Sequence, residues 1–312
     1  MRILFMGTPE FALPSLGILL EHRYAVAGVV TTPDRPRGRG QKMAGSPVKE
    51  FALQHQLSVF QPENLSDPAF LASVSRAQPD LIVVVAFRIL PKELYTIPRL
   101  GSFNLHASLL PKYRGAAPIN WAIIRGEKET GVTTFFLKDK VDTGSLLLQA
   151  RVAIGPDETA GELHDTLAEV GAEMVLQTVR LIELGKTRPR PQDDAQATTA
   201  PKIFKEDCRI DWSASAQQVH NVVRGLSPHP CSWTTHHDKV LRIYRTSLLK
   251  EAGGNPGGPP PGTISTVEKE SVVVATGEGS LSILDIQQEG KKRMGIAEFL
   301  RGYTLQVGDV LH

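Results

Sequence analysis

Short apolar runs that stop at a glycine or a turn, each followed by a stretch of helical period, constrain this chain more than any other feature. Residues 2–6 read Arg-Ile-Leu-Phe-Met and end at Gly7; 25–30 and 81–86 are similar runs rich in valine, isoleucine and alanine. Runs of this length without polar alternation suit strands buried on both faces, as in a parallel sheet. Between them the apolar spacing changes. Phe11, Leu13, Leu16, Ile18, Leu19 and Leu20 predict a helix, Ser46-Pro47 opens another over 48–55, and 66–76 reads as a third, with a short strand at 58–60. Strands alternating with helices predict an α/β fold: a mostly parallel sheet with helices on both faces.

The pattern continues through strands at 102–106, 133–137 and 145–154, the last two joined by the turn-rich 138–144. Thr159 with Glu162 predicts a capping box that opens a long helix over 159–184. Residues 185–202 then hold Gly185, three prolines, Asp193-Asp194 and Ala-Thr-Thr-Ala, the composition of an interdomain linker. Beyond it come a helix at 215–225 and short β-rich runs at 240–245, 262–267, 271–275 and 280–286, with the Gly/Pro-rich 253–262 as an exposed loop. Several short strands separated by turns predict a small C-terminal β-barrel, OB-like in kind. The expected division is an N-terminal domain at 1–188, a linker at 189–206 and a C-terminal domain at 207–312.

A length of 312 residues fits two domains. The formal net charge is only +2, so bulk charge does not announce a polyanion partner, and any nucleic-acid surface must be local. Residues 34–49 supply such a locality: Arg35, Arg37, Arg39, Lys42 and Lys49 against Asp34 give a net +4, with glycines at 38, 40 and 45 that predict mobility. Lys291-Lys292-Arg293 is a second basic cluster. Cys208 and Cys231 lack the spacing of a disulfide framework or a zinc site, and two reduced thiols are expected. The first apolar run ends too early for a signal peptide, and the run at 81–87 is too short to span a bilayer. The expectation is a soluble, cytoplasmic chain with no membrane association, a monomer by default.

Asn104 and His106 lie two apart on one predicted strand, so they project to the same face, near the strand end where open α/β sheets bind ligands. Asp142 sits in a turn that only the fold can bring near them. An amide, an imidazole and a carboxylate are the groups that acyl or formyl transfer onto an amine requires. The imidazole trades a proton near neutral pH, the carboxylate orients it, and the amide donates to the developing oxyanion. On spacing alone, a lone strand histidine is more often structural than catalytic. Other catalytic readings are weaker. Gly7-Thr8-Pro9 is not a dinucleotide fingerprint, Ser108 lacks a nucleophile elbow, and the adjacent pairs His164-Asp165 and His236-His237 read as solvated or structural.

Together, Asn104-x-His106, Ser108-Leu109-Leu110-Pro111, Arg114-Gly115-Ala116-Ala117-Pro118-Ile119 and Asp142-Thr143-Gly144 resemble the folate-dependent formyltransferases, as does the opening Gly7-Thr8-Pro9-Glu10-Phe11. Thr32-Pro33-Asp34-Arg35-Pro36 with Gly38-Arg39-Gly40, and the later Ile210-Asp211-Trp212-Ser213 and Gly290-Lys291-Lys292-Arg293-Met294, are similar to the branch whose acceptor is methionyl-initiator tRNA. The resemblance implies a Rossmann-like N-terminal domain and an OB-like C-terminal barrel. It implies 10-formyltetrahydrofolate as co-substrate, with no metal, and methionyl-initiator tRNA as partner. It makes Asn104, His106 and Asp142 catalytic, and Ser108, Leu109, Leu110 and Pro111 a folate-binding motif. Val85, Ala86, Phe87, Ile89 and Leu90 would wall the pterin. Arg35, Arg37, Arg39 and Lys42 would form an inserted loop at the tRNA acceptor end, and Lys291, Lys292 and Arg293 a backbone grip. The chain departs from the family at Ala86-Phe87-Arg88-Ile89-Leu90-Pro91, one residue shorter than the Ala-Tyr-Gly form of many members. Rival expectations are a formyltransferase acting on a small amine, a formyltetrahydrofolate hydrolase, and a non-catalytic tRNA-binding module.

Overall fold

The first apolar run forms β1 (Arg2–Gly7), in which every residue from Ile3 to Met6 is buried. α1 (Leu13–Glu21) leads to β2 (Ala25–Val30), and β3 (Arg35–Arg37) with β4 (Lys42–Ala44) makes an antiparallel hairpin. Then come α2 (Pro47–Gln54), β5 (Val59–Phe60), α3 (Pro68–Ala77), β6 (Leu81–Val85), α4 (Lys92–Tyr95) and β7 (Ser102–His106). The chain continues through β8 (Arg114–Gly115), α5 (Pro118–Ile124), β9 (Glu129–Phe136), β10 (Leu146–Ala153), α6 (Ala160–Glu183) and β11 (Thr199–Ala200). This computed structural model describes residues 1–37, 42–249 and 258–312, without the side chains of Arg37 and Lys42.

The main sheet runs β10-β9-β7-β6-β1-β2-β5. β5, β2, β1, β6 and β7 are parallel to their neighbours, and β9 joins β7 antiparallel. The chain winds outward from β1 through β2 and β5, then returns to β6 on the other side of β1. That reversal is the switch point of a Rossmann-like sheet, with its ligand crevice outside the carboxyl ends of the strands. Register fixes the faces. Leu4 pairs with Ile82, Met6 with Val84, and Val84 with Asn104. Leu4, Met6, Ile82 and Val84 pack with Phe70 and Val74 of α3 and Leu94 of α4. On the opposite face Leu105 lies against Gly171 of α6, where an added Cβ would come within 2.6 Å of it, and Thr134 of β9 meets Thr178 of α6 at 2.8 Å. Helices therefore cover both faces.

Helix starts follow local chemistry. Ser46 accepts the Lys49 N–H at 3.0 Å to cap α2, and Asp67 accepts from Ala69 at 2.9 Å to cap α3. Thr159 and Glu162 make the reciprocal bonds expected at the start of α6. α5 was not expected: a seven-residue helix opened by Pro118 is too short to declare a period.

The chain forms two compact units that alternate along the sequence: 1–115, 130–152 and 164–200 in one; 116–129, 153–163 and 201–312 in the other. The second contains α7 (Ala216–Leu226), β12 (Ser232–His236), β13 (Lys239–Leu248), β14 (Ile264–Glu268), β15 (Ser271–Ala275), β16 (Ser280–Gln288), β17 (Met294–Gly295) and α8 (Ile296–Phe299). Its antiparallel sheet runs β12-β13-β16-β15-β14, with β17 also on β16. Trp212, Val219 and Val223 join Leu241, Ile243, Val274 and Ile283 in the core, and the Trp212 indole donates to Thr234 at 3.0 Å. β12 was missed because Pro230-Cys231-Ser232 reads as a turn. The two-residue loop His237-Asp238, both at positive φ, closes its hairpin with β13. Arg224 is buried, donates at 3.1 Å to the carbonyls of Gly155 and Glu158, and is held below the usual arginine pKa by burial. Cys208 and Cys231 are free and buried. Among the described residues no helix is long and apolar enough to cross a membrane.

Candidate active site

β7 ends at the crevice and carries Asn104 and His106 on one face. Their partners across β9 are Phe135 and Thr133. His106 is only 6% exposed, and its Nε2 lies 2.8 Å from the Tyr113 carbonyl. A carbonyl only accepts, so Nε2 carries the hydrogen and donates it. Nδ1 is then the ring nitrogen at which a proton comes and goes. It lies 3.8 Å from Asp142 Oδ2, beyond hydrogen-bond reach yet an ion pair whenever the ring is protonated. Among the described residues the Asn104 amide has no hydrogen-bond partner.

Asp142 lies between β9 and β10 at φ 54°, and its Oδ2 accepts the Gly115 N–H at 2.9 Å. Two glycines make this approach possible. A Cβ on Gly144 would lie 1.5 Å from the Phe136 carbonyl oxygen. Gly115, at φ 128°, would place one 2.5 Å from that of Ala200. The structure thus brings Asn104, His106 and Asp142 together at the carboxyl end of the sheet.

The Ser108–Pro111 motif is a buried turn. Ser108 donates to the Lys112 carbonyl at 2.6 Å, so its hydroxyl locks the loop. Thr133 donates to the Ser108 carbonyl at 2.6 Å and accepts from Leu110 N–H at 3.1 Å. Gln149 donates to the Leu110 carbonyl at 2.8 Å. Leu110 packs with Phe135 and Leu146, while Leu109 and Pro111 are partly buried. At the end of β6, Val85 is fully buried and pairs with Leu105, on the face opposite Asn104, so its side chain does not join the site. Ala86 leaves the strand at φ 48° and is exposed; Phe87 and Leu90 are half-buried, and Ile89 is 75% exposed. Arg88 carries no signal of a role in the sequence pattern. Its guanidinium donates to the carbonyls of Glu63 (2.9 Å) and Pro62 (2.8 Å) and sits 5.3 Å over the Phe87 ring. It ties the Ala86–Leu90 loop to the 61–63 segment.

Part of the basic stretch forms the β3–β4 hairpin, in which Arg35 pairs with Ala44 and Arg37 with Lys42; Arg39 lies outside the described residues. Lys49 is spent on Asp34, Nζ to Oδ2 at 2.6 Å. Hydrogen bonds from Lys49 and Gln61 hold Asp34 below the usual carboxylate range. Lys291 and Lys292 are exposed between β16 and β17. Arg293 instead donates through Nε to Asp285 at 2.7 Å and stacks 4.4 Å over Tyr244, so it is anchored within its own unit. His236 is buried with Nδ1 2.9 Å from the Tyr303 hydroxyl, a tie within the second unit.

The family described as Formyl transferase matches residues 1–179, and Formyl transferase, C-terminal domain, matches 202–304. The chain is 48% identical to the methionyl-tRNA formyltransferase of Caldanaerobacter subterraneus, over all of both chains. It is 48% identical to that of Flavobacterium johnsoniae, over 97% of this chain and 96% of that one. HypX from Aquifex aeolicus in complex with tetrahydrofolic acid is similar in fold, with a TM-score of 0.66 at 19% identity; the match covers 99% of this chain and half, 50%, of that one.

Proposed function

We propose, from the premise that the chain belongs to the formyl transferase family, that it transfers a formyl group from 10-formyltetrahydrofolate to the free amino group of methionyl-initiator tRNA. The observation that carries the reading is the convergence of the Asn104 amide, without a hydrogen-bond partner among the described residues, with a buried imidazole whose Nε2 is already committed, leaving Nδ1 beside Asp142. The residues fit the folate donor: half-buried Phe87 and Leu90 and exposed Ile89 offer apolar flanks to a flat heteroaromatic ring.

When bound, the folate supplies the formyl group on a nitrogen leaving group. Asn104 donates to the formyl oxygen as negative charge develops. His106 takes or returns a proton at Nδ1, and Asp142 balances the charge of the imidazolium. Gly115 N–H fixes the carboxylate that does so. Ser108, Leu109, Leu110 and Pro111 hold the loop against which the folate rests, with Ala86 contributing backbone at the strand end.

On this reading the 1–188 domain performs the chemistry, with the 190–200 part of the 189–206 linker hydrogen-bonded to it, and the 207–312 domain is an OB-like tRNA-binding module. Arg35, Arg37, Arg39 and Lys42 meet the acceptor stem, and Lys291 and Lys292 meet backbone phosphates; Arg293, held by Asp285, borders them. The protein acts in the cytoplasm as a monomer. The test is formyl transfer to charged initiator tRNA against small amines and water. Transfer to tRNA supports the reading. Turnover confined to a small amine, formate release without acceptor, or tight tRNA binding without turnover would each replace it.

A further inference from the structure

The stretch 190–200, whose composition reads as linker, runs back against the catalytic pair. Arg190 exchanges two backbone hydrogen bonds with Leu146, at 2.7 and 2.9 Å. Gln192 then turns its amide onto the Asp142 loop. Its Nε2 donates to the carbonyls of Asp142 (2.8 Å) and Gly144 (2.9 Å). Its Oε1 accepts from Arg114 Nε (3.1 Å) and a terminal nitrogen of the same guanidinium (2.7 Å), which also pairs with Asp194 at 2.7 Å. Further along, Thr198 Oγ1 accepts the Tyr113 N–H at 2.9 Å, and the Tyr113 carbonyl is the group that holds His106 Nε2. Thr199 and Ala200 pair with Arg114 and Gly115, whose N–H is the donor on the Asp142 carboxylate.

Asp142 and Tyr113 both sit at positive φ, 54° and 61°. Such conformations persist where the surrounding structure over-determines them. Here the hydrogen bonds come from one segment, and they meet the two halves of the catalytic pair separately.

We propose that Gln192 and Thr198 are positioning residues for the His106–Asp142 pair, Gln192 setting the loop that carries the carboxylate and Thr198 setting the ring through Tyr113. The proposal rests on the reading of His106 and Asp142 as catalytic. Neither Gln192 nor Thr198 donates to or accepts from the His106 or Asp142 side chain; each acts one hydrogen bond away.

Steady-state kinetics on the full-length enzyme test it. Gln192→Glu keeps an acceptor for Arg114 but loses the donor to the two carbonyls. Thr198→Val loses the acceptor for Tyr113 N–H, and Thr198→Ser keeps it. Gln192→Glu and Thr198→Val are expected to lower kcat by roughly 10- to 100-fold, the scale of a misplacement near 1 Å, with both KM values close to wild type. Their kcat–pH profiles move, and Thr198→Ser restores wild-type kcat. Because Gln192 acts through Asp142, adding Gln192→Glu to Asp142→Ala costs nothing further. Wild-type kcat and pH profile in Gln192→Glu, or losses that multiply in the double variant, overturn the brace. If Thr198→Val fails to fold, Gln192→Glu with its double variant carries the test alone. Wild-type activity in Asp142→Ala itself would instead overturn the reading of the site, an outcome separate from failure of the brace.

Discussion

His106 donates its Nε2 hydrogen to the Tyr113 carbonyl at 2.8 Å, which fixes the ring's tautomer before any substrate arrives. All proton traffic is thereby confined to Nδ1, 3.8 Å from Asp142. With folate saturating, His106→Ala is expected to lower kcat on the order of 10²–10⁴-fold, the usual worth of a positioned acid–base group.

Asn104→Ala removes the amide donor, and a fall in kcat on the order of 10²–10³ is expected, with KM for tRNA little changed. A stopped assay on charged initiator tRNA measures both. Near-wild-type kcat in Asn104→Ala, His106→Ala and Asp142→Ala alike would remove the site from the mechanism.

What the sequence made legible follows from the physics of each signal. β1 and β6 are apolar runs, and in β7 Phe103 and Leu105 alternate with Asn104 and His106 at a period of two, so the parallel sheet and the face of the site could be read directly. Asp142 could be read only as a carboxylate in a turn that the fold must close onto His106; its closeness to His106 depends on Gly144 packing against Phe136 and on the Gly115 N–H, contacts with no local signature. The same holds for Arg88 and Gln192, polar residues in loops whose partners are backbone carbonyls. Bare charge counts misled for Lys49 and Arg293, because only the fold shows that Asp34 and Asp285 occupy them.

That pairing makes a prediction about tRNA binding. Replacing Lys42, Lys291 and Lys292 together with alanine is expected to weaken binding and to flatten the log–log salt slope by about 0.7–0.9 for each phosphate no longer neutralised. Lys49→Ala, whose cation is already neutralised by Asp34, should leave the slope unchanged. Filter binding across a salt series reads both. A slope unaltered in the triple variant, or flattened equally by Lys49→Ala, would refute this assignment of the cations that reach the tRNA.

Gly144 faces a steric limit. A Cβ there would lie 1.5 Å from the Phe136 carbonyl oxygen, so Gly144→Ala must displace the loop that carries Asp142. A stability loss of about 1–3 kcal/mol in urea titration is expected, the usual cost of overpacking, together with a fall in kcat. Full activity at unchanged stability would show that the loop relaxes freely.

Cys231 offers a pH test independent of catalysis. It is buried, its Sγ lies 3.5 Å from the carbonyls of Ser232 and Ile243, and burial pushes its thiol up to about 11 from an ordinary 9.0. At pH 8 roughly one thiol in a thousand is ionised, so native Cys231 should resist iodoacetamide while the unfolded chain reacts. The linkage sign follows from which state ionises first. Above pH 9 the unfolded chain releases this proton and the folded chain keeps it, so the folded state loses relative stability as pH rises. The contribution is fully present below pH 9 and is lost between about 9 and 11; two pKa units correspond to about 3 kcal/mol. Titrating groups that do not interact with Cys231 contribute equally to wild type and Cys231→Ala, so the difference between their stability–pH curves reports the thiol together with Tyr244, whose phenol is raised by burial and by Cys231. Wild type should lose stability faster than Cys231→Ala across this window. Parallel curves, or native alkylation at the unfolded rate, would show that the thiol is not shielded.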